Sequence, residues 1–287
     1  MNRVTEVFLQ PGLYIVATPI GHLDDITLRA LSLLREADLV AAEDTRHTKK
    51  LLQHHGINRS LVAYHEHSAT QVLASRITEI VQQGGVCALV SDAGTPLISD
   101  PGYDLVRTLS QNNVAVIPVP GPSALTAAIS VSGLPSDRFL FLGFPPAKSA
   151  MRRRWMSELA FERATLVLYE APHRILDSLA DAADIFGGER PVVICRELTK
   201  TYETLLRGTL ASVLETVRND PNQQRGEIVV VIGGADHAEA DFGDSEQRLL
   251  LGLAEHAPPK VAAAVVGDYL GIKKKTLYEW LLAQKTI

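Results

Sequence analysis

The sequence predicts two consecutive α/β domains with a cleft between them, followed by a small helical tail. Three observations lead there. Short apolar runs alternate with amphipathic stretches from the start, the pattern of strand–helix–strand units and a mostly parallel sheet. The later runs contain stretches of apolar–polar alternation, which fits a mixed or antiparallel second sheet. Beyond Gly233-Gly234 the composition turns acidic and turn-rich, then helical. The N-terminal domain is therefore placed at 1–119, the second at 120–235 and the helical tail at 245–287.

In order, Leu13–Thr18 reads as a strand and Thr27–Ala37 as a helix with Leu28, Leu31 and Leu34 on its apolar side. Strand Leu39–Ala42 leads to a helix from about Thr45 to His55. Helix Ala69–Gln83, strand Val86–Ser91, a helix near Pro101–Gln111 and strand Val114–Val119 complete the first half. A helix over Pro122–Val131, with Pro122 in its first turn, opens the second. Phe139–Phe144, Thr165–Tyr169, Val192–Arg196, Tyr202–Arg207 and Ile228–Ile232 read as its strands. Ala235–Glu246 reads as a linker. Leu249–Glu255, Lys260–Leu270 and Lys273–Ala283 are helical, and Gly271 breaks the last two in the manner of a helix-turn-helix.

Composition narrows the function classes. The 287 residues, 46% of them hydrophobic, can bury a core that needs no disulfide or metal staple. Cys87 and Cys195 lie inside apolar runs and are expected as buried, reduced thiols. A net charge of −5 excludes a general polyanion coat, so nucleic-acid contact would need local basic patches. No basic-then-apolar leader appears and no apolar run approaches the ~20 residues that span a bilayer, so the expected location is cytoplasmic. Among nine histidines, His54-His55 and His65-x-His67 are the close pairs. With no Cys cluster and no His-Glu-x-x-His pattern, no metal is expected.

Four loops carry the binding chemistry: Ala17-Thr18-Pro19-Ile20-Gly21, Ser91-Asp92-Ala93-Gly94-Thr95-Pro96, Pro118-Val119-Pro120-Gly121-Pro122-Ser123-Ala124 and Arg225-Gly226-Glu227-Ile228. Each adjoins a strand-like run, and none holds the Lys that a triphosphate cradle normally needs. They offer close backbone approach and neutral hydrogen-bonding groups, which suits a ligand with an adenine, a ribose and a zwitterionic tail. S-adenosylmethionine is such a ligand. The candidate contacts are Pro19, Asp92, Ala93, Thr95, Ile98, Ser123, Ala124, Tyr169, Gly226 and Ile228. Gly21 is assigned to a turn. Ser123 is either a helix N-cap or a hydroxyl facing the ligand. Gly and Pro also punctuate ordinary turns, so local sequence leaves that reading open.

Glu43-Asp44-Thr45-Arg46 follows a strand and reads locally as a helix start, with Asp44 or Thr45 capping. His47, Lys49 and Lys50 continue on that helix. Tyr169-Glu170-Ala171-Pro172-His173-Arg174 and Arg196-Glu197-Leu198-Thr199-Lys200 place polar groups after two further strands, with an Arg196–Glu197 salt bridge as the plain alternative. Arg152, Arg153 and Arg154 precede Trp155, a combination that suits phosphate contact beside base stacking, though local sequence favours a solvated helix face. Lys273, Lys274 and Lys275 open the last helix, where a recognition helix carries its contacts.

Taken with Pro19-Ile20-Gly21, Ser99-Asp100-Pro101-Gly102 and Pro120-Gly121-Pro122-Ser123-Ala124, these motifs resemble the tetrapyrrole-methylase superfamily of S-adenosylmethionine-dependent methyltransferases. The nearer likeness is to its RNA-modifying branch, the 16S rRNA (cytidine) 2′-O-methyltransferases. The resemblance runs through most of the chain. It implies two α/β domains of the tetrapyrrole-methylase type, a homodimer, and S-adenosylmethionine in the interdomain cleft. It also implies methylation of a cytidine ribose in the decoding region of 16S rRNA, within the small ribosomal subunit. On that footing a carboxylate of Asp44 or Glu43 accepts or orients the hydroxyl proton, with His173 as the alternative base. Arg46, Lys49, Arg153, Arg174, Lys200 and Lys274 are the candidates to meet RNA. Two other functions compete: methylation of a tetrapyrrole carbon, and an S-adenosylmethionine sensor whose tail binds duplex DNA.

Overall fold

The computed structural model describes residues 9–64, 70–160, 162–235, 244–272 and 274–284. The expected pair His65/His67, most of the linker and Lys273 lie outside them. The chain forms two compact units, Met1–Gly234 and Ala235–Ile287.

The first unit opens with β1 (Gly12–Val16), α1 (Leu28–Glu36), β2 (Leu39–Ala42), α2 (Thr45–His54), β3 (Leu61–Ala63), α3 (Thr70–Gln82), β4 (Val86–Val90), α4 (Tyr103–Gln111) and β5 (Val116–Val119). The strands form an all-parallel sheet in the order β3-β2-β4-β1-β5. Alternate residues feed opposite faces. Tyr14, Val16, Val40, Ala88 and Val90 pack with Leu33, Leu34, Leu51 and Leu52 of α1 and α2. Leu13, Leu39, Ala41, Cys87 and Leu89 pack with Leu73, Ile77, Leu105 and Leu109 of α3 and α4. Both faces are therefore covered, as a parallel sheet requires. Pro118, which cannot donate to a ladder, sits on edge strand β5.

The second half supplies α5 (Ala124–Ser132), β6 (Phe139–Phe141), α6 (Ser149–Glu158), β7 (Thr165–Glu170), α7 (Ile175–Phe186), β8 (Pro191–Arg196), β9 (Thr204–Thr209), α8 (Leu210–Asn219) and β10 (Ile228–Ile232). Its sheet runs β6-β7-β10-β8-β9 and is mixed: β6 and β7 are parallel, the other pairs antiparallel. Leu166, Leu168, Ile194 and Val230 face Met156, Leu179, Leu210 and Val213 from α6, α7 and α8. The opposite face, with Val167, Val193, Cys195 and Val229, packs on Ala128 of α5 and on Ile20 from the loop after β1. Both cysteines are buried, and burial pushes their thiols up, Cys87 to about 12 and Cys195 to about 11.

Two expectations are corrected and two elements are added. Leu28 is 83% exposed, because the buried side of α1 runs through Ala30, Leu31, Leu33 and Leu34 and Leu28 falls on the opposite side of the cylinder. Pro122 precedes the N-cap Ser123 and stands outside α5. The short strand β3 and helix α8 have no counterpart in the sequence reading. Three residues are too few to show a period, and α8 rests on a Thr209–Ser212 capping box.

The second unit contains α9 (Asp244–His256), α10 (Pro259–Leu270) and α11 (Lys274–Gln284) around Leu250, Ala262, Ala263, Val266, Ile272, Leu277 and Leu281. Gly271 ends α10 in the left-handed region (φ 70°), and Ile272 N donates to Gly267 O at 3.0 Å, closing the turn into α11. Among the described residues no helix is long and apolar enough to cross a membrane.

Candidate functional site

The carboxyl ends of β1, β2, β4 and β5 and one end of the second sheet supply the walls of a cavity of about 450 Å³. Register explains the second contribution. Ile228 at the start of antiparallel β10 pairs with Glu170 at the end of β7 and with Arg196 at the end of β8. The beginning of β10 and the ends of β7 and β8 thus reach the same rim.

Of the ten expected ligand contacts, Asp92, Ala93, Thr95, Ile98, Ser123, Ala124, Tyr169, Gly226 and Ile228 line this cavity. Pro19 does not: it is buried, and its neighbour Ile20 takes the place in the wall. The loops are locked to one another. Thr18 and Gly94 exchange two backbone hydrogen bonds of 2.8 and 3.0 Å, and the Thr95 hydroxyl donates to Pro122 O at 3.0 Å. Ser123 occupies the N-cap position, yet its hydroxyl leaves the cap unbonded and partners Tyr169. Burial raises the Tyr169 phenol, against hydrogen bonds with Leu125 backbone and Ser123. Gly21 is needed for close approach, since a Cβ there would lie 2.5 Å from Lys200 Cγ and 2.9 Å from Leu198 O.

The residues expected to do chemistry separate. Glu43 lines the cavity; Asp44 and His173 do not. Asp44 caps α2: its Oδ1 accepts from Arg46 N at 2.7 Å, and its Oδ2 accepts from Arg46 Nη2 at 2.6 Å. Those bonds hold its carboxyl well below the usual carboxylate range, so it is a poor proton acceptor. An Asp44→Asn variant is expected to keep its turnover while its helix start loosens; a turnover lowered as far as by loss of a general base would return Asp44 to the chemistry. Asp44 N in turn donates to Asp92 Oδ1 at 2.8 Å. Asp100, Glu170 and Glu227 also line the wall, although the sequence reading gave none of them a role. Glu170 is buried and accepts from Arg174 Nη2 at 2.9 Å; its Oε2 has no protein partner.

Several expected RNA contacts are committed elsewhere. Arg153 is held by Asp181 and Asp184 at 3.1 and 2.9 Å. Arg152 is buried against Asp181 at 2.7 Å, and Trp155 packs on the second core instead of offering a stacking face. Lys200 bridges Glu197 and Glu227 at 2.9 and 3.2 Å. Glu197 therefore pairs with Lys200, while buried Arg196 bonds Gln223, Tyr202 O and Thr204. Arg46, His47, Lys49 and Lys50 are exposed on α2, next to Glu43, with Arg46 in an ion pair with Asp44 at 2.6 Å and His47 3.6 Å from Asp92. Lys274 is exposed at the start of α11. Away from the cavity lining, Asp24, His54 and His55 bring possible ligand atoms within 4.8 Å of one another. There His54 Nε2 meets Asp24 at 3.1 Å and His55 Nε2 meets Leu23 O at 3.1 Å.

Residues 12–214 match the family of Tetrapyrrole (Corrin/Porphyrin) Methylases, and residues 239–285 match the RsmI C-terminal HTH domain. Ribosomal RNA small subunit methyltransferase I of Pseudomonas aeruginosa is 50% identical over 275 residues, spanning 95% of this chain and 97% of that protein. The chain belongs to this family. The methyltransferase I of Escherichia coli O157:H7 is 48% identical over 276 residues, 96% of each chain. Solved structures share the methylase fold at lower identity. A Thermus thermophilus uroporphyrin-III C-methyltransferase complexed with S-adenosyl homocysteine gives a TM-score of 0.53 at 19% identity, covering 77% of this chain and 97% of that one. A diphthine synthase gives 0.58 at 18%, covering 77% and 89%. The match to Ribosomal RNA small subunit methyltransferase I thus spans both the two-sheet body and the helical C-terminal unit of this chain.

Proposed function

We propose that this methyltransferase moves a methyl group from S-adenosylmethionine to the 2′-hydroxyl of a cytidine in the decoding region of 16S rRNA. One observation carries the reading: the cavity wall among the described residues contains Glu43, Asp92, Asp100, Glu170 and Glu227 and no Lys, Arg or His, while exposed Arg46, Lys49 and Lys50 stand on the helix beside it. An acidic, apolar-walled cavity favours a ligand with a cationic sulfonium and ammonium over a phosphate ester. It also disfavours a tetrapyrrole, whose side chains carry several carboxylates. The basic face of α2 suits the phosphates of an RNA approaching the rim.

S-adenosylmethionine fits the residues present. Ile20, Ala93, Ala124 and Ile228 give apolar surface, Gly226 lines the wall without a side chain, and the carboxylates oppose the positive charge. When bound it supplies an activated methyl group on sulfur. The chain's own task is alignment, which can supply several kcal/mol of the barrier, roughly 7–11 at best. In this reading 1–119 and 120–235 act as the two domains that enclose the cavity. The tail at 245–287 serves as an RNA-docking element through Lys274. A homodimer belongs to the same reading, supported by Phe139 and Leu140, exposed on edge strand β6, and sedimentation of the pure chain reads it.

The test is transfer of labelled methyl from S-adenosylmethionine to small subunits isolated without the modification, followed by nucleoside analysis. Label in 2′-O-methylcytidine is the expected result, with weaker subunit binding by Lys274→Ala. Label in a base, or in added porphyrin alone, sinks the proposal.

A further inference from the structure

We propose that Asp24, His54 and His55 form a binding site for a divalent transition-metal ion, with zinc as the best match. The ion would clamp the loop after β1 to the end of α2. None of the three residues is in the cavity wall, so the site is distinct from the one that holds the methyl donor.

The fold brings the three together from two places. His54 is the last residue of α2, and His55 caps that helix. Asp24 stands in a short 3₁₀ turn, Leu23–Asp25, between β1 and α1. Sequence spacing gives no sign of the set, because Asp24 lies 30 residues before His54. In the structure each residue offers one ligand atom, and the three atoms lie within 4.8 Å of one another. His54 Nε2 and Asp24 Oδ1 are 3.1 Å apart. Zinc bonds to nitrogen and oxygen of about 2.0–2.2 Å make a tetrahedral edge of about 3.3–3.5 Å. The pair already stands close to the separation that a shared ion imposes, and the ion would replace the proton that now joins them. Metal-bound imidazoles commonly give their second ring nitrogen to a backbone carbonyl, and His55 has one at hand, with Nε2 3.1 Å from Leu23 O.

Donor chemistry selects the class of ion. Two imidazoles and a carboxylate suit zinc and its first-row neighbours, whereas magnesium and calcium prefer all-oxygen shells. The His54 and Asp24 side chains are 45% and 68% exposed, so an ion can enter from solvent and water can complete its coordination. The two elements joined are those that serve the rim. The loop after β1 gives Ile20 to the cavity wall, and His22 N on the same loop donates to Thr199 Oγ1 at 3.1 Å. Helix α2 carries the exposed Arg46, Lys49 and Lys50. A bound ion would fix that basic helix to the loop that shapes the cavity.

The test uses the full chain, stripped of metal with a chelator and titrated with zinc chloride in a calorimeter, with melting followed at the same concentrations. One zinc per chain is expected. Asp24→Ala, His54→Ala and His55→Ala should each weaken binding tenfold or more. Zinc at about 100 times its dissociation constant should raise the parent's melting temperature by roughly 5–10 °C and leave the three variants nearly unmoved. His256→Ala, which removes an exposed histidine at the end of α9, should bind zinc as the parent does. Absence of saturable binding by the parent overturns the site. So does parental affinity in His54→Ala and Asp24→Ala, which would place the zinc elsewhere on the chain. Displacement of zinc by an equal concentration of magnesium would reject the imidazole ligands.

Discussion

Arg152→Met is expected to lower unfolding stability by about 3 kcal/mol and the melting temperature by about 6–12 °C. Arg152 is 2% exposed and donates through Nε and Nη2 to Asp181 Oδ2 at 2.8 and 2.7 Å. Removing it strands a buried carboxylate, which is the costly way to break such a pair. The loss stays at the lower end of the range because Ser149 and Arg153 still reach Asp181. Burial pushes the Asp181 carboxyl up, but hydrogen bonds from Arg153, Arg152 and Ser149 outweigh it and hold the group below its ordinary value. A lowered carboxyl stabilises the fold above its unfolded pKa of about 3.9 and loses that contribution as pH falls through the folded value. The parent should therefore lose more stability on acidification than Arg152→Met does. Thermal unfolding at pH 7 and pH 3 reads both effects. An unchanged melting temperature with a raised KM for small subunits would instead make the arginine an RNA contact.

Gly226→Ala is expected to weaken S-adenosylhomocysteine binding by tenfold or more, about 1.4 kcal/mol or above. Gly226 has φ +79°, and a Cβ would lie 2.5 Å from the carboxyl of Glu197. That carboxyl is not free to yield. Its Oε1 accepts from Lys200 Nζ and from Glu227 N, both at 2.9 Å. Accommodating the methyl group means either breaking those bonds or pushing Gly226 and Glu227 into the cavity. Gly84→Ala separates backbone strain from crowding, because Gly84 has φ +88° with nothing within 4 Å of its Cβ position. Gly84→Ala should cost stability alone. Equal effects of the two substitutions on ligand affinity would reject a shaping role for Gly226. Calorimetric titration of both variants decides it.

The cavity was legible in the sequence because its makers are punctuation. Gly94, Pro96, Gly121, Pro122 and Gly226 stand at strand ends, and in α/β sheets ligands gather there. The parallel and mixed sheets followed from the spacing and patterning of apolar runs such as Val86–Val90 and Ile228–Ile232. Charged residues were harder, since their partners lie far along the chain. Arg152 and Arg153 resemble a phosphate patch until α7 brings Asp181 and Asp184 against them. Lys200 looks available until Glu227 arrives from before β10. Asp44 and Asp100 both sit in conspicuous motifs. Only the backbone shows that the first is spent on its own helix and that the second faces the cavity.

The charge of the wall bears on how the cycle ends. Methyl transfer converts a sulfonium to an uncharged thioether, so the spent molecule carries one positive charge less than the fresh one. On the proposed reading, a pocket with five carboxylates in its lining, two of them paired with Arg174 and Lys200 behind the wall, holds the cation more firmly than the neutral product. Product departure is thereby favoured, and the next donor is drawn in against competition from the one just used. On that reading, the acidity of this wall favours occupancy by the fresh donor over the spent one.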